Sequence, residues 1–86
     1  MTKKEYIQSH EIKSWYNMAP GISMILYGIE HEYAYIKMCI NTGESYHKYK
    51  VRENLKGKYL LTKWGRVWLN VFYNFNNIRL NKHIDF

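Results

Sequence analysis

Three cations at alternate positions, Lys48, Lys50 and Arg52, form the clearest chemical signal in this chain. On an extended strand, residues two apart leave the same face about 6.5–7 Å from one another. That interval is close to the phosphate repeat of an extended single strand of nucleic acid, so such a row is able to neutralise a phosphate backbone, with affinity falling as salt rises. The same alternation of lysines also keeps an exposed edge strand from pairing with another chain, which is the structural alternative. A second run follows, Lys63-Trp64-Gly65-Arg66-Val67-Trp68. Cations interleaved with indole rings supply what base stacking combined with phosphate contact requires. Gly65 would let the backbone turn tightly between them. One indole of the pair is equally suited to capping a core. The candidate binding set is therefore Lys48, Lys50, Arg52, Lys63, Trp64, Arg66 and Trp68.

Other residue groups carry less. In a strand, Glu30-His31-Glu32 would put two carboxylates on one face, an arrangement suited to a metal or to acid–base work, but three polar residues between apolar runs read better as a turn. Cys39 with His10, His31, His47 and His83 raises zinc or nucleophilic chemistry, yet no pair has C-x-x-C or H-x-x-x-H spacing. Cys39 lies in an apolar run and reads as a small, buried or half-buried residue. A glycine-rich phosphate loop, a G-x-S-x-G elbow and the H-x-E…P-C-x-x-C deaminase pattern are all missing from the sequence. The expectation is a protein that is not an enzyme, with no catalytic residue, no cofactor and no metal.

The elements that must hold these residues follow from periodicity. Thr2 and Glu5 have capping-box spacing, and Tyr6, Ile7, His10, Ile12, Trp15 and Tyr16 form a loose three- and four-residue stripe. This predicts a helix over Thr2–Met18, stopped by Ala19-Pro20-Gly21. Strands are predicted over Ser23–Ile29, Tyr33–Ile40, Tyr46–Glu53, Tyr59–Trp64 and Arg66–Phe75. Within Tyr33–Ile40 the apolar face Ala34, Ile36, Met38 and Ile40 alternates with Tyr33, Tyr35, Lys37 and Cys39. Turns are predicted at residues 30–32, 41–45 and 54–57. A helix over 66–80 is the main rival for the last strand; β-branched, aromatic and Asn content favours the strand. Residues 76–86 read as an irregular tail. The predicted fold is α+β: one N-terminal helix packed on a small antiparallel β-meander of about four to five strands, leaving the other sheet face open.

Composition sets the outer limits. At 86 residues the chain is one domain, residues 1–86, with apolar residues at 47% and aromatics at 17%. A single cysteine makes no internal disulfide, and no apolar leader or membrane-spanning run is seen, so a reducing cytoplasm is expected. The net charge of +6 is uneven: residues 1–20 carry +1, residues 21–46 carry −2 and residues 47–86 carry +7. A one-sided basic field attracts polyanions or acidic protein surfaces; a merely solubilising surface is the plainer alternative.

Lys, Ile, Asn, Tyr and Phe, the residues of A+T-rich codons, make up 39 of the 86 positions. In this composition and size the chain resembles small proteins of Gram-positive phages and mobile elements, a likeness of style without a motif. That likeness implies a protein that inhibits or modulates a host nucleic-acid-processing or defence enzyme in the bacterial cytoplasm, as anti-CRISPR and anti-restriction proteins do. Its basic charge excludes DNA mimicry, and an acidic patch on a host protein or nucleoprotein is the expected partner, with homo-oligomers also allowed. Two other functions stay open: nonspecific or single-stranded nucleic-acid binding, and a structural or assembly subunit.

Overall fold

The computed structural model describes residues 2–63, 65–71 and 78–84. The chain opens as the capping signature predicts. The Thr2 hydroxyl accepts the Glu5 N–H at 3.2 Å, and the Glu5 carboxylate accepts the Thr2 N–H at 3.3 Å. Helix α1 spans only Lys3–Ser9, however, and the backbone is already extended at His10. What reads as the second half of a helix is instead strand β1, Ser14–Ala19, with Ser14, Tyr16 and Met18 turned inward and Trp15 and Asn17 exposed.

Six more strands follow: β2 Ile22–Glu30, β3 Tyr33–Ile40, β4 Gly43–Asn54, β5 Gly57–Thr62, β6 Gly65–Val71 and β7 Ile78–Ile84. Each pairs antiparallel with the next, in the order β1-β2-β3-β4-β5-β6-β7. The twist and curl of a sheet this long bring its ends together. The Leu80 N–H on β7 donates to the Ser14 hydroxyl on β1 at 3.2 Å. The result is a nearly closed antiparallel barrel with one short helix on its outside.

This corrects the α+β expectation of a helix on four or five strands. The helix is less than half the expected length, β1 occupies its second half, and the supposed tail contains β7. Residues 66–71 are strand and not helix; Trp64 and the rest of the expected strand beyond Val71 lie outside the described residues.

The barrel interior is filled by alternate residues of every strand, chiefly Met24, Leu26, Ile36, Met38, Leu60 and Val67, all fully buried. Ile78 and Leu80 complete it from β7. Ile40, expected inside, is 43% exposed, because it lies at the last position of β3 beyond the interior.

A second, smaller cluster lies outside the barrel. There α1 lays Tyr6 and Ile7 on Tyr27 and Tyr35. Tyr6 is held between two rings, His10 at 3.7 Å and Tyr35 at 4.0 Å between centroids, both nearly parallel. A β-bulge makes room for this. The β2–β3 register shifts between Leu26 and Gly28, and the Tyr6 hydroxyl comes to rest against Gly28, where a Cβ would collide with it.

Candidate functional site

β4 presents Lys48, Lys50 and Arg52 on the outer face, all exposed, while Tyr49 and Val51 between them pack toward the core. Register continues this face across the next two strands. Arg52 lies opposite Tyr59 on β5, and Tyr59 lies opposite Trp68 on β6. The neighbouring outward pair is Leu61 and Arg66. One face of β4–β6 thus gathers five of the seven expected binding residues, Lys48, Lys50, Arg52, Arg66 and Trp68. Lys63 is exposed in the β5–β6 turn, and Trp64 lies outside the described residues.

Tyr59 and Leu61 belong to this face and were not singled out from sequence. Only the pairing of β5 with both neighbours, which sequence spacing does not give, sets them between Arg52 and the β6 pair.

The side chains on this face are already engaged with one another. The Tyr59 and Trp68 rings are 5.3 Å apart and tilted by 52°. The Arg66 guanidinium stands 5.1 Å from the Tyr59 ring centre, and Lys48 Nζ stands 4.4 Å from that of Tyr33. Lys50 Nζ is 3.7 Å from a Glu32 carboxylate oxygen, in a largely exposed pair worth about 0–1 kcal/mol. Trp68 Nε1 is buried with no hydrogen-bond partner among the described residues. Leu61 is 44% exposed. At the edge of the face Lys50, Arg52 and Lys58 share a cleft of about 250 Å³ with Glu32 and Glu53, so its charge is mixed.

Glu30-His31-Glu32 forms the expected turn region: Glu30 ends β2, and His31 takes a left-handed φ of 59°. Its acids are spoken for, Glu30 lying 3.8 Å from His31 and Glu32 beside Lys50. Cys39 is half-buried on β3, opposite Ser23 and Glu44.

His47 sits on the inward side of β4, stacked on Tyr49 at 5.3 Å, with the Ser45 hydroxyl 2.7 Å from its Nε2. Burial, helped by the Lys3 and Lys63 charges, pushes its imidazole below the ordinary value of 6.5. The unfolded chain therefore takes up this proton first. Stability is full while the unfolded imidazole is neutral and falls as the pH drops through that range, levelling below the folded value. Thermal unfolding from about pH 7.5 to 5.5 should show a falling midpoint. In His47→Gln the fall should be shallower than in the unsubstituted chain; identical profiles would remove His47 as a cause.

No family model, characterised protein or solved structure matches the chain. Among the described residues, no helix is long and apolar enough to cross a membrane.

Proposed function

We propose that this chain is a non-enzymatic binding protein that docks the outer face of β4–β6 on an acidic surface of a nucleic-acid-processing or defence enzyme and modulates it. A phage or mobile-element origin and a bacterial cytoplasm belong to the same proposal and rest on composition. One observation carries the choice of a protein partner: the rings on this face cover each other. Base stacking needs an open ring face, whereas Tyr59 has Trp68 against it and Arg66 over it. Preassembled aromatic and arginine anchors beside an exposed leucine, rimmed by lysines, are the composition of a protein hot spot. The rim charge speeds encounter with an acidic partner and selects against basic ones.

Direct binding to single-stranded nucleic acid is the second reading, favoured by the exposed period-two row on β4. Two measurements separate them. A stoichiometric partner purified from a bacterial host should lose about 2 kcal/mol of affinity with Leu61→Ala or Arg66→Ala. Labelled single- and double-stranded oligonucleotides, titrated over a salt series, should bind weakly. Any such binding should lose about 2–3 units of log–log salt slope in the Lys48, Lys50 and Arg52 triple-alanine variant. Tight oligonucleotide binding abolished by that variant, with no stoichiometric protein partner, would establish the second reading instead.

A further inference from the structure

The first half of β4 carries a second pattern, on the side where it pairs with β3. Tyr33 lies opposite Lys50, Tyr35 opposite Lys48 and Lys37 opposite Tyr46. These residues alternate with the buried Ala34, Ile36 and Met38, so all of them belong to the outer face, where each tyrosine meets a lysine across the ladder. Rings set among cations are what the stacking of bases on a charged strand requires. The cations differ in how far they are engaged. Lys37 Nζ is 3.8 Å from a Glu44 carboxylate oxygen, and Lys50 Nζ is 3.7 Å from one of Glu32. Lys48 is exposed and has no carboxylate at ion-pair distance among the described residues.

Helix α1 covers this face, and it does so with a ring. Tyr6 lies on Tyr35 with 4.0 Å between centroids and 16° between planes, which is how a base lies on an aromatic platform. The neighbouring rings carry ammonium groups instead, Lys48 Nζ at 4.4 Å from the centre of Tyr33 and Lys37 Nζ at 5.7 Å from that of Tyr27. His10 continues the stack on the far side of Tyr6. The cover is slight. It has seven residues and buries only Tyr6 and Ile7, and a helix below about 12–15 residues does not hold together away from the body it packs on.

We infer that the outer face of β3–β4 is a binding platform for single-stranded nucleic acid, with Tyr35 as its stacking ring, and that α1 closes it by seating Tyr6 where a base would lie. When α1 lifts, a base stacks on Tyr35 and the strand's phosphates lie along Lys48 and Lys50. A tyrosine ring and a base compete for one face of Tyr35, so the two states exclude each other. By linkage, a bound strand favours the lifted helix by the same factor as the lifted helix favours binding. With α1 seated, oligonucleotides bind weakly. The platform shares Lys48 and Lys50 with the proposed docking face but neither Tyr59 nor Leu61, so the two are separable.

The test measures the binding of a fluorescent oligothymidylate to the full chain by anisotropy. Tyr6→Ala, which empties the stacking position, should bind at least tenfold more tightly than the unsubstituted chain. Gly28→Val should do the same by another route, because a Cβ there meets the Tyr6 hydroxyl. In the Tyr6→Ala background, Tyr35→Ala should remove at least fivefold of the gain, and Tyr35→Phe should keep it. Leu61→Ala should leave the gain intact. A duplex, whose bases are already stacked on one another, should gain nothing. Oligothymidylate against oligouridylate distinguishes DNA from RNA as the strand. A second measurement needs no substitution: in the unsubstituted chain, saturating oligothymidylate should release the Tyr6 and His10 ring protons from their mutual ring-current shifts. Binding no tighter in Tyr6→Ala and Gly28→Val, a gain that survives Tyr35→Ala, or ring signals that stay fixed at saturation would overturn the inference.

Discussion

Leu60→Ala should remove most of the stability of the fold and bring its unfolding midpoint down sharply, whereas Leu61→Ala, one residue along, should scarcely move that midpoint. Leu60 is fully buried at the middle of β5, between Val51 on β4 and Val67 on β6. Ladders on both sides pin those neighbours, so the wall cannot collapse into the space a lost side chain leaves. Truncation of this kind costs about 2–5 kcal/mol. A domain of this size has roughly 3–5 kcal/mol in total, so one substitution consumes most of it. Leu61 points outward, and truncation there should stay within about 0.5 kcal/mol. Urea titration followed by far-ultraviolet circular dichroism measures both. Equal costs at the two positions would show that β5 does not alternate in this register.

Gly28→Val should expel α1 from the barrel wall. A Cβ at position 28 meets the Tyr6 hydroxyl and ring edge. The end of a long side chain ordinarily swings aside, but Tyr6 has His10 on one face and Tyr35 on the other. The whole helix must therefore lift. Lifting exposes Tyr6 and Ile7, buried side chains worth about 1.5–3 kcal/mol each. Hydrogen exchange should show lost protection in α1 with the interior of β3 and β5 still protected. A double-mutant cycle makes the cause specific: in a Tyr6→Ala background, Gly28→Val should cost little more. Full additivity of the two changes would mean that their close approach does not hold the helix.

The parts of this fold that were legible in sequence are those where a single period runs unbroken. Tyr33–Ile40 alternates cleanly, and its inner residues Ala34, Ile36 and Met38 are all buried. The Thr2 and Glu5 capping pair is local and was readable as such. Residues 14–18 read as helix in sequence because Tyr6, Ile7 and His10 set a helical period that Trp15 and Tyr16 happen to extend. The competing two-residue alternation of Ser14, Tyr16 and Met18 is short and has a serine at an inward position. β7 is hidden in the sequence for a similar reason: Ile78-Arg79-Leu80 is too brief a pattern to stand out from polar flanks. Of the candidate surface, the β4 cations were legible because they lie on one strand. Tyr59 and Leu61 were not, because their place depends on register between strands. Tyr35 shows the limit from the other side: it alternates outward as expected, and is buried all the same because α1 covers it.

The connectivity of the barrel also sets how it closes in time. Among the described residues, each of the six backbone ladders joins strands adjacent in sequence, while the Ser14–Leu80 join spans 66 residues. Loop closure costs about 0.6 kcal/mol more for each doubling of loop length. Going from a tight turn of about four residues to 66 is four doublings, or roughly 2.4 kcal/mol more entropy to overcome for a single hydrogen bond and its flanking contacts. Hairpins can zip one after another at small cost, and the barrel's two end strands are brought together last. Held by the thinnest margin, that junction is also the first to open when the native protein fluctuates.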